Sequence, residues 1–133
     1  MIVDSSALAA IFLHEDKGLE VLQAIKRERS YTLELGIKET LNAAWKRRST
    51  LGDDGLRLVL RAIVKAIDAK LIELLDQEPF LERGLSIAAA YGITIYDSLF
   101  ISATLIRNDR LLTLDRSQRK VAEELGVICL NPL

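Results

Sequence analysis

Residues 2–13 read Ile-Val-Asp-Ser-Ser-Ala-Leu-Ala-Ala-Ile-Phe-Leu. Two β-branched residues, an acid, two hydroxyls and an unbroken apolar run from Ala7 to Leu13 predict a short buried strand that feeds a buried helix through Asp4. The same order returns late in the chain, where a strand candidate at Leu111–Leu114 is followed by Asp115 and a helix candidate over 117–125. Between and beyond these, strand candidates at Tyr31–Leu33, Leu71–Leu75 and Val127–Leu130 alternate with helix candidates near 17–28, 35–49, 54–69, 79–91 and 98–107. Each parallel strand pair needs a crossover, usually helical, so this alternation predicts an α/β fold with a mostly parallel sheet.

The helical periodicity is clearest over 54–69. Leu56, Leu60, Ile63 and Ile67 are expected on the buried stripe, with Arg57, Arg61, Lys65 and Asp68 on another. Ahead of it, Gly52-Asp53-Asp54-Gly55 reads as a turn with an Asp N-cap. In helix 35–49, Ile37, Leu41, Ala44 and Trp45 are expected to face the core, while Glu39, Asn42 and Lys46 share a different stripe. The run Leu99–Ile106 is apolar nearly all round, which marks a buried helix with Asp97 at its head.

Half of the 133 residues are apolar and 28% are charged. That balance is expected of one domain, able to bury roughly two thirds of its unfolded surface without a disulfide or structural metal. Eighteen Lys and Arg against nineteen Asp and Glu give a net charge of −1, so a nucleic-acid partner has to be held by local patches. One cysteine, Cys129, and one histidine, His14, exclude a zinc site built mainly from Cys and His and any two-histidine acid–base pair. The lone cysteine fits a reducing compartment, and no basic leader or long apolar run is present; a cytoplasmic chain without a membrane span is expected. No glycine pattern matches the phosphate-cradling or dinucleotide-binding loops.

The acids carry the chemistry. Strands of a parallel sheet end at one edge, and ligands collect outside those ends where the strand order reverses. Asp4 and Asp115 each follow a strand and share that edge. If Asp97 points there too, three carboxylates meet in a partly desolvated volume and repel. A hard cation, Mg²⁺ or Mn²⁺, suits such an oxygen donor set. Asp is also a favoured N-cap, so each of the three equally fits a cap reading. Glu34 competes with Glu39 as the acid nearest the end of the second strand.

Four stretches now stand in order: Ile-Val-Asp-Ser-Ser-Ala-Leu at 2–8, Lys-Glu-Thr-Leu-Asn at 38–42, Ile-Tyr-Asp-Ser-Leu-Phe-Ile-Ser-Ala at 95–103 and Leu-Leu-Thr-Leu-Asp at 111–115. They resemble the four acidic motifs of PIN-domain nucleases, and the chain resembles most the VapC toxin branch of toxin–antitoxin pairs. The resemblance implies a three-layer α/β/α sandwich with a five-stranded parallel sheet, a single domain over 1–133. It implies that Asp4, Glu39, Asp97 and Asp115 surround one or two Mg²⁺ or Mn²⁺ ions. Asn42 and Thr113 match polar positions that assist the site, and Ser5 is a further supporting hydroxyl. The activity implied is metal-dependent RNA hydrolysis leaving 5′-phosphate and 3′-hydroxyl ends; the partners implied are RNA, an antitoxin protein and a second copy of the chain. Of the local cations Lys46, Arg47, Arg48, Arg107, Arg110, Arg116 and Arg119, Arg116 and Lys46 are the first choices for the RNA backbone.

The chain departs from the pattern at 116–119, Arg-Ser-Gln-Arg, which lacks the further acid some relatives place there for a second metal. Other readings are a catalytically silent RNA-binding module of the same fold and an RNA-processing nuclease without an antitoxin. A dehalogenase-like phosphatase would want an Asp at Ser6, and a receiver domain an acidic pair before the end of the first strand and a late Lys. Neither pattern is here.

Overall fold

The computed structural model describes residues 1–130. Its central strand β1 (Ile2–Val3) is fully buried and leads at once into α1 (Ser5–Phe12), as the apolar run requires. There follow α2 (Gly18–Arg27), β2 (Tyr31–Leu33), α3 (Glu34–Lys46), α4 (Arg48–Asp68) and β3 (Glu73–Leu75). A 3₁₀ turn at Glu78–Phe80, with Pro79 in it, opens α5 (Leu81–Tyr91); α6 (Ile95–Ile106), β4 (Leu111–Leu112), α7 (Arg116–Glu124) and β5 (Cys129–Leu130) complete the described chain.

The five strands form one parallel sheet in the order β3-β2-β1-β4-β5. Chain order therefore reverses between β1 and β4, where Ile2 pairs with Leu111 and Val3 with Leu112. Alternate strand residues serve opposite faces, which is why both sides of such short strands are apolar. Val3 and Leu112 join Leu8, Val21, Ala44 and Ile63 beneath α1–α4, while Ile2 and Leu111 join Phe100, Ile101 and Val121 beneath α5–α7. The result is a three-layer α/β/α sandwich.

Three strands are shorter than the apolar runs that suggested them, because their backbone groups are used elsewhere. The Leu71 N–H closes the end of α4 on the Ala66 carbonyl at 2.9 Å, and the Val127 N–H closes α7 on Ala122 at 2.9 Å. The Leu114 N–H turns away to the Ser6 hydroxyl at 2.9 Å. Gly36 lets α3 settle directly on its neighbours; a Cβ there would stand 2.6 Å from Thr32 Oγ1 and 3.0 Å from Leu8 Cδ1. The expected turn at 52–55 is instead a kink inside α4, where Gly52 adopts φ 68°.

Two expected stripes are corrected at one residue each. In α4 the buried residues are Val59, Ile63 and Ala66, with Leu56 and Ile67 packed at the margin, so Leu60 faces solvent beside Leu58 and Val64. In α3 Gly36, Thr40 and Ala44 are buried and Ile37 and Leu41 pack against the core, so of the expected stripe only Trp45, exposed at the end of the helix, departs. The i, i+3, i+4, i+7 rule is met by either stripe in each helix; which one turns inward depends on how the helix lies against the sheet.

Candidate active site

Asp4 stands at the carboxyl end of β1 and caps α1: its Oδ1 accepts from the Ala7 N–H at 3.0 Å and from the Ser6 hydroxyl at 2.7 Å. Its other oxygen, Oδ2, is buried with no hydrogen-bond partner. A cap uses one carboxylate oxygen, so the cap reading accounts for half of this side chain and leaves the other half unexplained. Burial pushes the carboxyl up to about 6; the nearby Thr113 hydroxyl, which forms no well-aligned hydrogen bond with it, the Ser6 hydroxyl and the Ala7 amide hold it down, and the Asp115 charge adds to the rise.

Asp115 follows β4 and caps α7 through the Gln118 N–H at 2.9 Å. Thr113 Oγ1 accepts from the Asp115 N–H at 3.0 Å and lies 3.4 Å from Ser6 Oγ. Ser6, which also receives the Leu114 N–H, thereby ties the ends of β1 and β4 together at the point where strand order reverses.

The expectation for Asp97 is corrected in one respect. Helix α6 begins at Ile95, and Thr94 is its N-cap, accepting the Asp97 N–H at 3.2 Å. Asp97 is the third residue of the helix, and the cap reading does not apply to it. Burial raises its pKa, the charges of Asp115 and Glu39 raise it further, and the Thr94 hydroxyl opposes them. The two charges named there put Asp97, Asp115 and Glu39 in one electrostatic neighbourhood.

Glu39 lies one turn into α3, where the Ser5 hydroxyl donates to its Oε1. Glu34 is the exposed first residue of that helix and lines a shallow depression with Leu75, Asp76 and Gln77 beyond β3, so only Glu39 is joined to the β1 end. Asn42 and Lys46 are exposed further along α3.

Gln118 went unnoticed in the sequence. It is buried, donates its backbone N–H to the Asp115 carboxylate and donates its Nε2 to the Asp97 carbonyl at 3.1 Å. A polar residue where α7 would otherwise be apolar was the available signal.

Among the described residues, no three Asp, Glu, His or Cys side chains stand close enough together to hold one ion as they are placed. The donor chemistry still fits a hard cation: carboxylate oxygens, one of them buried and unpartnered. His14 follows the end of α1, exposed, with φ 54°. Of the expected RNA-contacting cations, Arg107 and Arg110 precede β4 and so lie at the opposite edge of the sheet, Arg110 on Glu28 and Arg107 over the Tyr31 ring. Arg119 is taken up by the Thr113 and Leu130 carbonyls at 3.0 and 2.8 Å, and Arg47 by Glu15 at 3.5 Å. Arg116, exposed at the start of α7, and Lys46 have no acidic partner among the described residues.

Residues 1–124, which include the carboxylates about the strand-order reversal, match the PIN domain family. The chain belongs to that family. It is 28% identical over 119 residues to Ribonuclease VapC3 of Pyrobaculum aerophilum, covering 87% of this chain and 89% of that one. It is 29% identical to Exonuclease VapC9 of the same organism, covering 99% and 91%. The crystal structure of PAE2754 from that organism superposes with a TM-score of 0.72 at 29% identity, over 96% of this chain and 87% of the other.

Proposed function

We propose that the chain is a single PIN domain over 1–133 that hydrolyses RNA with Mg²⁺ or Mn²⁺, as the cytoplasmic toxin of a toxin–antitoxin pair. The unpartnered Oδ2 of Asp4 carries the reading by its place: Glu20 Oε2 on α2 is buried without a donor as well, but Asp4 stands at the end of β1, where strand order reverses and the Asp115 charge adds to the cost that a cation would relieve. Asp4, Glu39, Asp97 and Asp115 would hold the ion. When bound, it supplies an acidified water and neutralises charge on the phosphate.

The chain's own groups do the rest. Ser5 fixes Glu39, while Ser6 and Thr113 fix Asp4 and Asp115 relative to one another. Arg116 and Lys46 receive the flanking phosphates, and Asn42 adds a hydrogen-bonding group on the stripe of α3 between Glu39 and Lys46. The antitoxin is a separate protein partner. A second copy covers part of the leucine-rich faces of α4 and α5, where Leu58 and Leu85 are 62% and 64% exposed.

The test is cleavage of an unstructured RNA with Mg²⁺ or Mn²⁺, in linear and circular form. Cleavage that stops in excess chelator supports the reading, and cleavage at full rate in chelator overturns the metal's role. Because one relative is named an exonuclease, the circular substrate decides the mode: it is cut by an endonuclease and spared by an exonuclease.

A further inference from the structure

Trp45-Lys46-Arg47-Arg48 form the corner between α3 and α4, and neither the core nor the acidic cluster uses them. Trp45 is the only tryptophan in the chain and is 54% exposed. The Arg48 guanidinium lies over its ring, 4.3 Å from the centroid, and is steadied there by a 3.1 Å hydrogen bond to the Trp45 carbonyl. Arg47 is paired with Glu15, whereas Lys46 and Arg48 have no acidic partner within 4 Å among the described residues.

An exposed indole backed by a guanidinium presents its free surface to any flat, apolar face, and the adjacent cations select for anions. Single-stranded RNA offers both at once, bases to stack and phosphates to pair. Protein interfaces favour Trp and Arg too but deplete lysine at their centres, so the two unpaired cations and the place of Lys46 on the Glu39 stripe decide for RNA, and the leucine faces of α4 and α5 are left to a protein partner. Placement agrees. Glu39, Asn42 and Lys46 follow i, i+3, i+7 spacing on one stripe of α3, so Lys46 lies about 10 Å along the helix axis from Glu39. That is the rise of about three stacked nucleotides.

We infer that Trp45, Lys46 and Arg48 form a subsite that stacks a base and pairs the backbone of single-stranded RNA a few nucleotides from the acidic cluster. The inference rests on the nuclease reading and adds to it where the strand is held.

The lone tryptophan is its own reporter. In excess chelator, where the proposed cleavage is off, a 12-nucleotide oligoadenylate is titrated into the full chain while indole emission and sedimentation are followed. Saturable quenching is expected, stronger than with oligouridylate and absent with a 12-base-pair duplex. Trp45→Leu should weaken oligoadenylate binding by at least about fivefold, and Trp45→Phe should recover most of it. Lys46→Ala with Arg48→Ala should reduce the slope of log affinity against log salt by about 1.4. Binding seen by sedimentation with emission unchanged, and equal in Trp45→Leu, overturns the subsite while leaving the nuclease reading intact. A Trp45→Leu protein that loses self-association but keeps its RNA affinity makes the corner a contact between copies and likewise overturns it. Failure of the unaltered protein to cleave RNA with any divalent ion removes the nuclease reading and this inference together.

Discussion

The two edges of the sheet carry the same kind of side chain in opposite circumstances. At the amino edge, three acids have a cation: Glu73 takes Arg29 at 3.0 Å, Glu28 takes Arg110, and Asp109 takes the Met1 ammonium at 2.9 Å. At the carboxyl edge, Asp4, Glu39, Asp97 and Asp115 form no ion pair among the described residues, and the pKa values of Asp4 and Asp97 are raised. Acids kept for stability come with partners. Acids without partners weaken the fold unless a cation joins, which accords with the site proposed at the carboxyl edge.

The largest effect should come from exchanging charge at the two edges. Asp97→Asn should abolish Mn²⁺ binding by calorimetry and lower cleavage at least about a hundredfold, since the ion's contribution is several kcal/mol. Its metal-free melting temperature should rise, because a repelling charge is gone. Glu73→Gln, at the other edge, should leave cleavage within about twofold. Equal loss in both variants would erase the distinction between the edges.

Next in size is the pH dependence of the metal-free protein. Asp4 holds its proton to about 6 in the fold and only to about 3.8 when unfolded. Between those values the native state binds more protons, so this group makes stability fall as pH rises, with nothing further lost above about 6. Relative to wild type, Asp4→Asn should therefore gain on the order of 2–3 kcal/mol between pH 4 and pH 7.5 in urea titrations. A flat difference would mean that Asp4 is not the buried charge described.

Gln118→Met keeps the side-chain volume and the backbone N–H to Asp115 but deletes the donor to the Asp97 carbonyl. Mn²⁺ affinity should drop about 10-fold, the lower end for a residue that supports ligands from behind. Val121→Ala, in the same helix and buried, is the control for lost packing; if it costs as much Mn²⁺ affinity, Gln118 only stabilises α7.

Smallest are the stability terms that involve no metal. Thr94→Ala should cost about 1 kcal/mol through loss of the α6 cap. Glu73→Gln should cost under about 1 kcal/mol, because Arg29 is exposed and solvent screens the pair. Both are measured by thermal melts in chelator.

The sequence by itself determined the strand–helix alternation, the buried character of α1 and α6, and the placement of Asp4 and Asp115 behind strands. These follow from local periodicity and from the rule that parallel strands end at one edge. It also marked Asp97 by its place at the head of a buried helix, and Glu39 through motif resemblance alone, since nothing local separates Glu39 from Glu34. Only the tertiary structure decided between the two glutamates and tied α6 to α7: Ser5 reaches Glu39 across 34 residues and Gln118 reaches the Asp97 carbonyl across 21. It likewise left Trp45 and Leu60 in solvent, although each satisfies a helical repeat. Periodicity fixes which residues share a stripe of a helix, while the stripe that turns inward, and the acid that meets its partners, depend on how separate elements pack.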